Sequence, residues 1–280
     1  MNANAMSMNA RGQARRAARS RTMDVGARAG FVARGVIYLL VGLLALRIAF
    51  SDGGGKQADR GGAIAEIAEK PFGSVLLWAL GAALACMALW RLSEAIFGQA
   101  GPDGDKASKR ATAAGRFVFY AFVSYSVLSY AAGDRSSGSG SSDKQTDDVT
   151  ARALQWTGGQ WLVGIAGAAV MCAGLWMAYR AVTRRYHKHL KMGAMTKRVR
   201  QAVDITGVFG GTVRGAVFAT AGGFAVAAAV QHEPGRAKGM DDTLRSFTET
   251  PAGPWLLVLV AVGLAAFGLF SWANARYRRI

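Results

Sequence analysis

Six long apolar stretches, separated by short charged segments, constrain this 280-residue chain more than any other feature. Each stretch approaches the length of about 20 mostly apolar residues that a helix needs to cross a bilayer. Soluble core helices that are apolar all round are the alternative, but the chain has too little amphipathic sequence to cover six of them. The six predicted spans are Phe31–Phe50, Val75–Phe97, Phe117–Ala132, Trp161–Val182, Thr212–Val230 and Trp255–Ala275.

The composition excludes several other classes of protein. Apolar residues make up 51% of the chain, which excludes intrinsic disorder, and two Cys are too few for a disulfide scaffold. The formal net charge of +17 does not indicate a nucleic-acid partner, because the basic residues flank the apolar stretches instead of lining one face. We therefore expect an all-α polytopic membrane protein that contacts the lipid bilayer and binds no nucleic acid.

The basic residues also predict the orientation of the chain. If the six spans alternate in direction, 19 Lys and Arg fall on the side that carries both termini and 9 on the other. Positive charge is retained on the cytoplasmic side, so we expect both termini there, close to anionic phospholipids of that leaflet. Residues 1–25 are expected to form a basic, disordered tail, since no apolar core follows that would make them a secretory signal. An Arg- and Ala-rich leader is also similar to an organellar transit peptide.

An internal repeat is visible in the first helix of each pair of spans. The hexapeptide Ala33–Tyr38 recurs as Gly115–Tyr120, 82 residues later, and as Val213–Phe218, 180 residues later. Two helices per copy is an even number, so all copies share one orientation. We predict three parallel two-helix repeats with approximate threefold symmetry, over residues 26–98, 110–183 and 204–277. The second helices align as Gly73…Trp90, Gly159…Trp176 and Gly253…Phe270.

Each loop on the far side of the membrane ends in a weakly amphipathic stretch. Apolar pairs mark these stretches, and turns rich in Pro and Gly follow them, so we predict a short helix at the outer interface in every repeat. The second of these loops also carries a Ser- and Gly-rich insert at residues 136–142. The apolar pairs are Ile64 and Ile67, Ala153 and Leu154, and Leu244 and Phe247.

The three Arg-containing helix starts and the three Gly…Leu-Trp/Phe second helices resemble the bacterial membrane family called domain of unknown function 1206. That family is built from three copies of a two-helix module, and the resemblance covers roughly residues 25–278. It implies a multi-pass protein of the bacterial cytoplasmic membrane. It implies no activity.

Arg34, Arg116 and Arg214 occupy equivalent positions about one turn inside the cytoplasmic boundary. An Arg within a span raises a functional hypothesis, here a ring around the axis that binds an anion or an anionic lipid headgroup. The alternative is structural, with each Arg extending to lipid phosphates or stacking on a ring, and the sequence favours it because positive charge is expected at this depth. The aromatic partners expected for the three Arg are Tyr38, Tyr120, Phe218, Trp90, Trp176 and Phe270.

The remaining His, Glu and Cys residues form no recognisable catalytic or metal-binding pattern in the sequence. His187 and His189 lack the Cys or acidic neighbours of a metal site, and we predict no catalytic residue, metal or cofactor. Glu94 lies one turn beyond Trp90 and could pair with Arg34. Cys86 and Cys172 are equivalent mid-helix residues that we expect to pack as small side chains.

Three candidate functions follow from these observations. The first is a non-enzymatic scaffold or a bundle that binds lipid or a partner, and the alternative is a small-molecule transporter or channel along the pseudo-threefold axis; an enzyme acting on lipid is third. The lack of acidic residues in the middle of the predicted spans, which ion coupling normally requires, favours the first. A mid-membrane cavity lined by Ser124, Ser126 or Thr220 would favour transport, whereas a dry axis would exclude it.

Overall fold

A computed structural model describes residues 21–50, 58–98, 106–133, 149–156, 158–231, 233, 237–247 and 253–279. The predicted tail up to residue 20, the insert at residues 136–142 and His232 lie outside this part of the chain. The described residues are almost entirely helical, and residues 149–154 are helical as well. The helices are α1 (Arg21–Phe50), α2 (Arg60–Ala68), α3 (Gly73–Phe97), α4 (Ala107–Ala131), α5 (Gly159–Val182), α6 (Lys197–Gln231), α7 (Met240–Ser246) and α8 (Gly253–Tyr277).

Six of these helices, α1, α3, α4, α5, α6 and α8, are long and apolar enough to cross a membrane. They coincide with the six predicted spans, and α4, which has the lowest hydropathy, is the most polar of them. The starts of α1, α4 and α6 run well before the predicted spans; α6 begins at Lys197, not near Thr212. Hydropathy cannot detect these extensions because a helix can continue through polar residues in water. We call the end of the bundle where α1, α4 and α6 start the basic end.

The six long helices form a ring in which neighbouring repeats pack most closely. The extensive contacts join α8 to α1, α3 to α4 and α5 to α6, which are the three equivalent pairs between repeats. Within repeats 1 and 3 the two helices also pack, α1 with α3 and α6 with α8. In repeat 2, α4 and α5 barely touch in the described residues. The predicted architecture of three parallel two-helix repeats with approximate threefold symmetry is confirmed, and the ring is open at one place.

Small residues set the distance between neighbouring repeats. A Cβ atom added at Gly42 or at Gly222 would lie 2.7 Å from a carbonyl oxygen of the partner helix, so the backbones are in direct contact there. The equivalent residue of repeat 2 is Ser124, whose hydroxyl donates a hydrogen bond of 2.9 Å to the facing carbonyl oxygen. The three equivalent pairs are Gly42 with Ala261, Ser124 with Gly81 and Gly222 with Gly167.

Two arginines at equivalent positions of the repeats cap the C-termini of neighbouring helices at the basic end. The Arg28 guanidinium donates to the carbonyl oxygens of Ala275 (2.5 Å) and Arg276 (2.8 Å) at the end of α8. These carbonyls have no partner within their own helix. In the next repeat, Arg110 donates two bonds of 2.8 Å to the equivalent carbonyls, of Ala95 and Ile96 in α3. The third equivalent residue is Val208, which cannot donate such bonds.

The opposite end of the bundle is covered by the short helices α2 and α7 and by residues 149–154, at the three predicted places. Ile64 of α2 and Leu244 of α7 are fully buried, so this layer packs onto the bundle itself. An ion pair of 3.4 Å joins Arg47 of α1 to Glu66 of α2. The layer therefore closes this end of the ring.

The close contact at Gly222 predicts a sharp difference between two adjacent glycines. A Cβ atom at Gly222 would be 2.4 Å from the backbone nitrogen of Met171, whereas one at Gly223 meets nothing within 4 Å. We expect Gly222→Ala to destabilise the protein by about 1–3 kcal/mol and to lower the thermal midpoint in detergent. Gly223→Ala is the matched control and should leave the midpoint nearly unchanged. Equal midpoints for both variants would contradict the backbone contact between α5 and α6.

Candidate functional site

A cavity of about 400 Å³ lies on the axis of the ring, which is within the range of about 300–1,000 Å³ usual for small-molecule sites. Arg34 and Arg214 line it towards the basic end, and Arg60 and Lys238 line it near the opposite layer. Among the described lining residues there is no Asp or Glu. The cavity is therefore positively charged at both ends. Its apolar walls include Ile37, Val41, Val123, Val163, Val170 and Val217.

Two arginines at the basic end of the cavity each donate a hydrogen bond to a tyrosine of the next repeat. Nη1 of Arg34 lies 3.3 Å from the hydroxyl of Tyr120, and Nε of Arg214 lies 2.6 Å from the hydroxyl of Tyr38. Tyr38 and Tyr120 are equivalent residues, so the two hydrogen bonds are related by the approximate threefold symmetry of the ring. Because each phenol oxygen accepts a bond, its own O–H can donate to a ligand.

The third bond of this ring is missing because Phe218 stands where the tyrosine would be. By the symmetry that relates the other two bonds, Arg116 would donate to the side chain at position 218. That residue is Phe218, which has no hydroxyl to accept the bond. Arg34 also donates from Nε to Ser271 (3.0 Å), and the residue equivalent to Ser271 beside Arg116 is Arg91. Arg116 is not among the residues that line the cavity, and no hydrogen bond, ion pair or ring contact holds it within the described residues.

Aromatic rings surround the two arginines of the cavity, although only some are the predicted ones. The Phe267 ring centre lies 5.3 Å from the Arg34 guanidinium carbon and 4.8 Å from that of Arg214. Arg214 also lies over Tyr38 (5.4 Å) and Phe218 (5.1 Å). The sequence comparison missed Phe267 and Ser271, since the equivalent residues of the other repeats are of different types. The other predicted partners lie elsewhere: Trp90 beside Arg91 and Arg278, Trp176 beside Arg185, and Phe270 beside Tyr186.

A second group of arginines lies at the basic end, next to the cavity. Nη1 of Arg91 is 2.6 Å from the Glu94 carboxylate, and both side chains are buried. Glu94 thus pairs with Arg91, not with Arg34 as the sequence suggested. The Arg278 guanidinium lies over the rings of Phe31 and Trp90, at 5.1 and 5.2 Å. Nε of Arg91 and Nε of Arg278 are buried without a hydrogen-bond partner.

The C-terminal segment holds Arg278 in this group through backbone hydrogen bonds to the loop between α5 and α6. The amide of Lys191 donates to the Tyr277 carbonyl (2.8 Å), and the amide of Arg279 donates to the His189 carbonyl (2.9 Å). Burial, together with the charges of Arg278 and other nearby cations, lowers the pKa of His189 to about 4. His189 is therefore neutral at pH 7.

Residues that could bear other chemistry are not assembled into a site. The described residues contain no group of three side chains that could hold a metal ion, and the thiols of Cys86 and Cys172 are free. Ser124 bonds to Gly81, and neither Ser126 nor Thr220 lines the cavity. The axial cavity therefore exists, but without the polar residues that would have favoured transport.

Comparison with known proteins gives a family and one relative without an assigned role. A sequence model described as Domain of Unknown Function (DUF1206) matches three stretches, residues 29–98, 111–184 and 209–278. The chain is 27% identical over 253 residues to the uncharacterised protein YxxB of Bacillus subtilis (strain 168), covering 90% of each chain. No solved structure matches.

The buried ion pair of Arg91 and Glu94 predicts a large effect of removing one charge. Glu94→Gln leaves Arg91 buried without a counter-charge, so we expect a loss of about 3 kcal/mol or more in the free energy of unfolding. Glu69→Gln changes an exposed carboxylate and should alter stability far less. Thermal unfolding in detergent measures both. Similar midpoints for the two variants would exclude a buried pair.

The lowered pKa of His189 predicts a pH dependence of stability. Between pH 6.5 and 4 the unfolded chain binds a proton at this position that the folded chain does not. Stability therefore falls as pH is lowered through this range, and this contribution is absent above it. In melting experiments at pH 7.5 and 5.0, His189→Gln should show a smaller difference between the two midpoints than the wild type. The same difference in both proteins would refute the assignment.

Proposed function

Since the chain belongs to the family described as Domain of Unknown Function (DUF1206), we propose from its site alone that it is a non-enzymatic membrane protein whose axial cavity binds an anionic amphiphile. The observation that carries this proposal is the combination of apolar walls with cationic and phenolic groups at the basic end. No carboxylate pairs with Arg34 or Arg214 in the described residues. A ligand with one acidic headgroup and an apolar chain satisfies both parts of the cavity.

Electrostatics supports an anionic ligand at this place. Charges removed from water are costly unless they are paired, and two guanidinium groups face the same cavity. A carboxylate or phosphate group between Arg34 and Arg214 would accept charge-assisted hydrogen bonds from both, and the hydroxyls of Tyr38 and Tyr120 can add two more. The chain of the ligand would lie along the valines of the walls.

The basic end lies in the cytoplasm in this proposal, and the protein is a component of the bacterial cytoplasmic membrane. The excess of Lys and Arg on the segments of that end supports the orientation. The headgroup would then sit at the depth of the cytoplasmic leaflet, which is rich in anionic phospholipids. Because α4 and α5 barely pack, a lipid chain can enter the cavity sideways from the bilayer.

Transport of the same amphiphile is the second candidate function. It is favoured by one observation, the basic residues Arg60 and Lys238 near the other end of the cavity, which could receive a headgroup that has crossed. Vesicles that contain the protein and a fluorescent anionic lipid distinguish the two functions. Binding alone predicts that the lipid moves between leaflets no faster than in protein-free vesicles, whereas faster movement would establish transport.

The arginine pair predicts the outcome of a binding experiment. Native mass spectrometry of the detergent-solubilised protein with added oleate, phosphatidylglycerol or phosphatidylcholine should show retention of an anionic probe. Arg34→Gln together with Arg214→Gln should reduce that retention by about tenfold or more, since two charge-assisted contacts are lost. Arg198→Gln removes an exposed charge from the same end and should have no effect. The two anionic probes distinguish a fatty acid from a phospholipid.

A second pair of variants tests the cavity without touching its charges. Ala221 lines the cavity, and Ala221→Phe should exclude the chain of the ligand while both guanidinium groups remain. Ala173→Phe places the same ring on an exposed position of α5 and is the matched control. Undiminished retention in Ala221→Phe, or equal retention of phosphatidylcholine and phosphatidylglycerol, would refute the proposed function.

A further inference from the structure

We propose that repeat 2 contains a separate phosphate-binding site at the basic end, in the gap between α4 and α5, where Arg116 and Arg180 supply the charge and Arg278 lies beside them. This site shares no residue with the axial cavity and does not depend on the function proposed for it.

The repeat itself shows that Arg116 has lost the partners that its equivalents retain. Arg34 donates to Tyr120 and Ser271, and Arg214 donates to Tyr38. The corresponding positions around Arg116 are occupied by Phe218, which cannot accept a hydrogen bond from it, and by Arg91, whose positive charge repels it. Arg116 therefore carries a positive charge that makes no hydrogen bond or ion pair in the described part of the chain.

One aligned position near the basic end of the second helices strengthens the contrast. It holds Glu94 in repeat 1, Arg180 in repeat 2 and Asn274 in repeat 3. Only in repeat 2 are both residues cations, and Arg180 is among the charges that act on Arg116. Arg180 likewise has no hydrogen bond, ion pair or ring contact in the described residues. Repeat 2 is also the one whose two helices stay apart.

The neighbouring groups add positive charge and unused donors. Arg278 is within the electrostatic reach of Arg116, and the pKa of Arg278 lies below its ordinary value because of burial and the nearby charge of Arg91. The buried Nε atoms of Arg91 and Arg278 have no acceptor in the structure. Glu94 is the carboxylate that acts on both Arg116 and Arg278, and it is already bonded to Arg91.

A phosphate group fits this arrangement better than a carboxylate does. The charges of Arg116, Arg180 and Arg278 all act on His189, so they are concentrated in one region at the basic end. A phosphate offers enough oxygens to accept from more than two guanidinium groups, whereas one Arg can occupy both oxygens of a carboxylate. The phosphate can come from two sources, as inorganic phosphate from the water at the basic end or as the headgroup of a phospholipid in the adjacent leaflet. The chemistry is the same in both cases.

The decisive variant is suggested by repeat 1, in which Glu94 occupies the position equivalent to Arg180 of repeat 2. Arg180→Glu provides Arg116 with a carboxylate partner and should weaken binding of phosphate about tenfold or more. Arg198→Glu makes the same charge change at an exposed residue of α6 and should leave binding unaltered. The double variant Arg34→Gln with Arg214→Gln should also retain phosphate, which separates this site from the axial cavity.

Two probes distinguish the sources of the phosphate group. Inorganic phosphate is titrated by calorimetry into the lipid-depleted Arg34→Gln/Arg214→Gln variant in detergent, and the same variant in nanodiscs is compared with phosphatidic acid or phosphatidylcholine present. Arg180→Glu is then added to this variant. Loss of the response to inorganic phosphate in Arg180→Glu supports a site for the aqueous ion. Loss of the preference for phosphatidic acid alone supports a lipid headgroup. A response to neither probe, or one that Arg180→Glu leaves intact, overturns the proposal.

Chemical modification of the wild type tests the site even if the variant does not fold. Phenylglyoxal modifies accessible arginines, and peptide mass spectrometry gives the extent at each residue. The bound probe should protect Arg116 and Arg180 but not Arg198. Equal modification of these three residues with and without the probe would exclude the site.

Discussion

Direct backbone contact between neighbouring repeats is the interaction on which the remaining structure depends. Lipid tails are as apolar as leucine, so membrane helices gain little from burying apolar side chains and associate through close packing. Gly42 and Gly222 provide that packing, and Ser124 replaces the glycine with a hydrogen bond to the facing carbonyl. Because the strongest contacts lie between repeats, the two helices within one repeat are free to separate. This explains how α4 and α5 can lie apart while the ring stays assembled.

The two candidate sites result from one symmetric template and a few departures from it. Where the template is kept, Arg34 and Arg214 bind the tyrosines of the next repeat and line the axial cavity. Where the pattern is not kept, Arg116 makes no hydrogen bond or ion pair within the described residues and lies outside the cavity lining. Burying a cation is costly unless it is paired, so each departure that adds positive charge makes an anion more favourable. In the two proposals, the same helical unit would therefore supply a cavity for an amphiphile on the axis and a phosphate site between α4 and α5.

The sequence predicted the features that depend on hydropathy and on repetition. The six spans, the parallel repeats and the three short helices of the opposite layer follow from these patterns, and the structure agrees with them. The partners of individual side chains could not be predicted, because they depend on how each helix is rotated about its own axis. Glu94 illustrates this, since it pairs with Arg91 on its own helix and not with Arg34 on the neighbouring one. Phe267 was missed because the equivalent residues of the other repeats are not aromatic, and only the folded ring shows that it touches both arginines of the cavity.

The separation of α4 and α5 has a consequence for how an occupant is supplied. In the proposed function the amphiphile enters between α4 and α5, so it would reach the cavity by lateral diffusion within the leaflet. Its effective concentration is then its mole fraction among the lipids, which far exceeds its concentration in water. Under these conditions even a weak intrinsic affinity would keep the cavity occupied, and the occupancy would follow the composition of the membrane.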